Sequence, residues 1–223
     1  MKKEINGLKF VTHRSFFKNR ELEAIEFFDS SVEYKYSNKK YNKKIFYKDV
    51  ALVRYYREKR TGKYKGDTFY MSISDNKKNN IIINEDFDET FPKILHIVHK
   101  IIKPYLVINL LKQLDIDGKI KIGPLILTSE GLYKERIIRE ARFLPWRNYV
   151  GYEYGTPTAF EEKWRKFSEE TWLIGYQYTP QMTIYGKHPE KEGYSLGFCL
   201  IDLDQFNTMA LPDLLYILKD RYK

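Results

Sequence analysis

Ile45-Phe46-Tyr47-Lys48-Asp49-Val50 and Leu144-Pro145-Trp146-Arg147-Asn148-Tyr149 are two versions of one pattern, 99 residues apart in a chain of 223. In both, an aromatic residue, a base and a short polar residue precede a segment that reads as a strand. Repetition of this kind decides the architecture and outranks any single motif. Upstream, Phe28-Asp29-Ser30-Ser31 separates an apolar run from the alternating Val32-Glu33-Tyr34-Lys35-Tyr36, and Ile126-Leu127-Thr128-Ser129-Glu130-Gly131 followed by Leu132-Tyr133-Lys134 does the same. Each reads as strand, tight turn, strand. Downstream, Ile81-Ile82-Ile83-Asn84-Glu85-Asp86 leads to Pro92, and Cys199-Leu200-Ile201-Asp202-Leu203-Asp204 leads to Pro212. The two prolines stand 120 residues apart, so the second copy holds 21 additional residues after about Val150.

Each copy is therefore several strands followed by one helix. In the first, strands are expected at 24–28, 32–36, 44–47, 51–57, 68–74 and 80–83, separated by the turn-rich stretches 38–42, 59–66 and 75–79. The helix begins near Thr90 with Pro92 in its first turn. Ile94, Ile97, Val98, Ile101, Ile102 and Tyr105 recur at helical spacing as its core stripe. Pro104 is expected to kink or break it, and Asp115-Ile116-Asp117-Gly118 to turn the chain into the second copy. The expected domains are 1–114 and 115–223, the second with an inserted aromatic segment near 151–175.

An antiparallel sheet closed by a C-terminal amphipathic helix is the order of pleckstrin-homology-like domains. With Gly123-Pro124-Leu125, Glu130-Gly131-Leu132 and Leu144-Pro145-Trp146-Arg147-Asn148, residues 20–223 resemble uncharacterised bacterial proteins with tandem pleckstrin-homology-like halves. The resemblance implies an α+β fold of two such halves, each a curved antiparallel sheet closed by a helix. It carries no activity over, because a fold of this kind hosts many functions.

The composition, 43% hydrophobic and 31% charged, is that of a globular chain. Cys199 is the sole cysteine, which forbids an intrachain disulfide, and Met1-Lys2-Lys3-Glu4-Ile5-Asn6-Gly7 has no apolar signal core. A cytoplasmic location is expected. His96, His99, Lys100, Lys103 and Pro104 interrupt the apolar run 94–111, which argues against a membrane span. Residues 1–114 hold 24 Lys+Arg against 14 Asp+Glu, whereas residues 115–223 hold 15 against 16. The net charge of +9 is thus +10 in the first half (24 − 14) and −1 in the second (15 − 16), an asymmetry that suits an anionic partner.

Catalytic patterns do not emerge. The chain has no Walker loop, no G-x-S-x-G and no H-E-x-x-H, and one cysteine cannot build a Cys-based zinc cluster. His96 and His99 find no third ligand, Asp86-Phe87-Asp88 and Asp202-Leu203-Asp204 read as helix-capping or turn-forming acids, and Cys199 reads as a core thiol without a cationic neighbour. A non-enzymatic protein with no catalytic residue, cofactor or metal is expected.

Binding residues are expected in two basic loops, one carrying Lys39, Lys40, Lys43 and Lys44, the other Arg57, Lys59, Arg60, Lys63 and Lys65. Converging at one end of a small sheet, they would form a cationic surface for a protein partner, an anionic lipid or another polyanion. Interleaved Tyr41, Tyr55, Tyr56 and Tyr64 could stack on bases, but no nucleic-acid motif accompanies them. Phe160, Trp164, Phe167 and Trp172 in the inserted segment are candidate protein-docking residues. The leading expectation is a protein-interaction module, either an adaptor or an immunity-type binder.

Overall fold

The computed structural model describes residues 7–14, 21–36, 39–60, 66–84, 91–134, 142–154, 181–187, 192–193, 195–202 and 205–223. The fold is α+β, and the chain divides into two compact units, 1–109 and 110–223.

Unit 1 opens with β1 (Leu8–Arg14), β2 (Glu21–Phe27), β3 (Ser31–Lys35) and β4 (Lys43–Phe46), an antiparallel sheet in sequential order. A 3-10 turn, Tyr47–Asp49, leads to a second antiparallel sheet of β5 (Val50–Arg60), β6 (Gly66–Asp75) and β7 (Asn80–Asn84). Alternation places Ile25, Phe27, Val32, Tyr34, Ile45, Val53, Tyr55, Ile73, Ile81 and Ile83 inside. Unit 2 repeats the order with β8 (Lys119–Ile122), β9 (Leu125–Thr128), β10 (Gly131–Lys134) and β11 (Arg142–Pro145), then the 3-10 turn Trp146–Asn148. Its second sheet is β12 (Tyr149–Tyr154), β13 (Gln181–Lys187) and β14 (Ser195–Asp202). Hydrogen bonding thus splits each unit's strands four and three instead of making one continuous sheet, and among the described residues neither set closes into a barrel.

The repeated hexapeptide is the joint between the two sheets. The fully buried Tyr47 donates its hydroxyl to the carbonyl of Phe28 at 2.8 Å, and its backbone N–H donates to Ser30 O at 2.9 Å. In unit 2, Trp146 Nε1 donates to Thr128 O at 2.9 Å and its backbone N–H to Glu130 O at 3.2 Å. A large ring with one polar handle fills the core and also satisfies a carbonyl of the first hairpin. Helices lock the same joints. Asn109 Nδ2 donates to Lys48 O and Val50 O, and Lys219, on α3 (Leu211–Tyr222), donates to Val150 O while lying over the Tyr149 ring.

The long helix departs from expectation. It runs as α1 (Phe91–Ile97), a π turn (Val98–Ile102) and α2 (Lys103–Asp117), so Pro104 does not end it and the helix continues through the Asp115-Ile116-Asp117 stretch expected to turn. Ile94, Val98, Ile102, Leu106, Leu110 and Leu114 are all buried at a constant spacing of four, while Tyr105 is exposed. A strict spacing of four drifts around a 3.6-residue turn. The wider π turn takes up that drift, and because the Lys103 N–H already reaches back to Val98 O, the proline falls just after a shifted bonding pattern. Gly118, at φ +71°, then stops the helix, its N–H donating to Leu114 O. By length and composition the run Lys93–Asp117 could cross a membrane, with a mean hydropathy of 1.4, yet the stripe just named is buried. The unit division falls at 109/110, inside α2, against an expected 114/115.

Gly131 supplies a close contact peculiar to unit 2. A Cβ there would stand 2.3 Å from Leu144 O and 2.8 Å from the Pro145 Cα, both backbone atoms that no rotamer change can move. The corresponding hairpin residue of unit 1 is the buried Ser31. Gly131→Ser should therefore destabilise unit 2 by about 1–3 kcal/mol although serine serves in unit 1. Urea unfolding followed by far-UV circular dichroism measures this, and an unchanged midpoint would refute the close approach.

Candidate binding surface

The outer face of the first sheet of unit 1 carries a row of charges. Lys9 faces Glu26, Glu26 faces Glu33 and Glu33 faces Lys44 in consecutive strand pairs. Two like charges directly opposite are unfavourable. Each acid is accordingly paired with a cation: Glu26 with Lys9 of β1 at 3.3 Å and with Lys35 of β3, and Glu33 with Lys44 of β4 at 2.7 Å. The Lys35 hydrogen bond is the main reason that the Glu26 carboxyl is held below the usual carboxylate range. Lys44 also lies over the Phe46 and Phe28 rings, at 5.2 and 5.9 Å.

Lys43 has the same alternation phase as the buried Ile45, and its Nζ donates to Asn80 O of β7 at 2.7 Å. Arg142, 99 residues on and likewise first in its strand, donates from Nη1 to Phe198 O of β14 at 3.2 Å, and Lys134 donates to Leu200 O at 2.8 Å. In both units a cation at this position ties the last strand of one sheet to the last strand of the other where no backbone ladder joins them. Lys43 and Lys44 thus hold structural places, while Lys39 and Lys40, on the 3-10 turn Lys39–Tyr41, are exposed together with Tyr41.

The second expected loop lies elsewhere. Arg57, Lys59 and Arg60 belong to β5, opposite Phe69, Asp67 and Gly66, so they lie in strand; Lys63 and Lys65 fall outside the described residues. Gly66 and Asp75 are the two ends of β6, roughly 30 Å apart at the rise of a strand. Lys43 touches Asn80, which follows the β6–β7 turn at the Asp75 end. The Lys43 contact therefore lies at the opposite end of β6 from Gly66. The group brought next to the Lys39–Tyr41 turn is Lys77 and Lys78, both exposed and missed as candidates. Their stretch 75–79 reads as a turn from composition, but its neighbour is set by a contact between residues 37 apart in the chain.

That turn is firmly built. The Asp75 carboxylate accepts from the backbone N–H groups of Lys77 and Asn79 at 2.8 and 2.9 Å and from Asn79 Nδ2 at 2.7 Å, and Lys78 sits at φ +67°. Burial pushes the Asp75 carboxyl up, and the hydrogen bonds from Asn79 and Lys77 more than offset it, so it titrates below the usual range.

Among the described residues, Cys199 and His99 are held in their neutral forms and Asp202 is hydrogen-bonded within its sheet. Burial pushes the Cys199 thiol up to about 11; Lys134 and Arg142 are cationic neighbours that sequence inspection missed, but their pull is outweighed. His99 is buried and pushed down to about 3 by desolvation first, then by Lys103, His96 and Lys100. Asp202 lies in β14, where its Oδ1 accepts from Gln181 Nε2 at 3.0 Å, and does not cap a helix; Asp86-Phe87-Asp88, Leu203 and Asp204 lie outside the described residues. Phe160, Trp164, Phe167 and Trp172 also lie outside them. Among the described residues no three His, Cys, Asp or Glu side chains gather as a metal site.

No protein-family model matches the chain, and no curated protein matches it significantly. The geometry of the surface is what bears on function.

Proposed function

We propose that this chain is a non-enzymatic, cytoplasmic protein-interaction module, an adaptor or immunity-type binder, built from two pleckstrin-homology-like halves. The finer fold reading is supported by the repeated order of four strands, three strands and a C-terminal helix, with an aromatic joint at the same place in each copy. The interaction reading is carried by one observation: charge is concentrated in the first half of the chain, and lysines on the turns of unit 1 are exposed to solvent. The non-enzymatic reading is supported by a thiol held protonated, a histidine held neutral and an aspartate occupied by its own turn.

Affinity capture from cytosol at low and moderate salt, with Lys39→Gln/Lys40→Gln alongside, tests this. Lys43 and Lys44 stay intact in that variant, because removing them would disturb the sheet tie and the charge row. One stoichiometric protein partner, retained at moderate salt and reduced in the variant, is the expected result. Recovery of only lipid or nucleic acid, at low salt alone, would overturn it in favour of a general polyanion binder.

A further inference from the structure

We infer that the corner of unit 1 bearing Lys39, Lys40, Lys77 and Lys78 is a docking site for an Asp/Glu-rich segment of a partner protein. This deepens the interaction reading and rests on it. The Lys39–Tyr41 turn enters β4 at Lys43, the 76–79 turn enters β7 at Asn80, and the bond from Lys43 Nζ to Asn80 O holds both turns at one corner. All four lysines are exposed. The acid within these two turns, Asp75, is buried and turns its oxygens to the N–H donors of Lys77 and Asn79; its charge acts on Lys77, leaving the corner positive on balance.

The chemistry of the corner selects the ligand. Four lysines without an arginine are flexible point charges, suited to carboxylates spread along a chain; the planar fork that grips one phosphate in bidentate fashion is absent from these two turns. Attraction to an anionic membrane is worth about fivefold in affinity per lysine, so four amount to roughly a millimolar dissociation constant, too weak for anchoring without a second signal. A protein segment adds backbone and side-chain hydrogen bonds and can pack on the Tyr41 ring, 58% exposed beside Lys39 and Lys40.

The test uses the full chain and a fluorescein-labelled synthetic peptide rich in Glu and Asp, read by anisotropy at about 50 and about 300 mM salt. Lys39→Glu/Lys40→Glu and Lys77→Glu/Lys78→Glu should each weaken binding about tenfold or more. Lys112→Glu/Lys119→Glu makes the same change in net charge at exposed lysines of unit 2 and should leave the peptide affinity within about twofold. The proposal fails if the control weakens binding as much as the corner pairs do. It also fails if phosphatidylserine vesicles bind through the corner and the peptide does not. A natural partner captured equally by wild type and by a variant combining Lys39→Glu, Lys40→Glu, Lys77→Glu and Lys78→Glu would remove the corner and leave the interaction reading standing. Capture by neither would remove that reading itself.

Discussion

Lowering the pH from 7.5 to 5.0 should cost the protein about 2 kcal/mol of stability through His99 alone, and His99→Leu should abolish that loss. The imidazole is buried on the long helix, and desolvation, Lys103, His96 and Lys100 all oppose its positive charge, so it titrates at about 3 against an ordinary 6.5. Between these values the unfolded chain takes up a proton that the folded chain refuses. Stability is therefore fully present above pH 6.5 and falls as the pH drops, by about 1.4 kcal/mol per pH unit once well below it. The depressed Glu26 and Asp75 carboxyls act lower: their contributions are present above their ordinary values of 4.5 and 3.8 and are lost as the pH falls through their folded values. Urea midpoints at several pH values, wild type against variant, isolate the histidine. Parallel curves for the two proteins between pH 6.5 and 5 would refute a buried neutral imidazole.

Trp146→Ala should be the most damaging single substitution in unit 2, at about 3–5 kcal/mol, the usual cost of emptying a large buried aromatic site. The ring is 1% exposed, meets Tyr149 edge-on at 6.0 Å, and leaves Thr128 O without its donor when removed. Trp146→Phe separates the two contributions, since it keeps most of the volume and deletes the N–H. Its expected cost is about 1–3 kcal/mol. Hydrogen exchange should show the lesion in β8–β11, which the joint connects to the second sheet. A loss below about 1 kcal/mol for the alanine variant would mean that the joint is not the keystone its contacts imply.

How much of this was legible beforehand depended on how local the signal was. The hairpin around Ser30 and Ser31 and its counterpart at Glu130 and Gly131 were readable, because turn residues and alternation act over a few positions. Tyr47 and Trp146 occupy equivalent places in the repeated pattern, and their hydrogen bonds show why the chain repeats a large ring there. β1 was not singled out, since its pairing with β2 is defined across the chain reversal between them. Pro104 misled because local chemistry says that a proline breaks a helix, whereas the π turn before it had already displaced the bonding pattern.

The same division runs through the surface. By itself the amino-acid order determined that the chain is a duplicated α+β protein with aromatic joints and a basic first half, because repeats, periodicity and charge count are properties of the chain. Only the tertiary structure decided which cations are spent. Lys43 ties two sheets, Lys44 pairs with Glu33, and Lys39, Lys40, Lys77 and Lys78 are exposed on the two turns that the Lys43 bond brings to one corner. The physical reason is that alternation assigns a lysine to a face of its own strand, whereas the atom its ammonium meets belongs to a strand placed by the packing of another sheet.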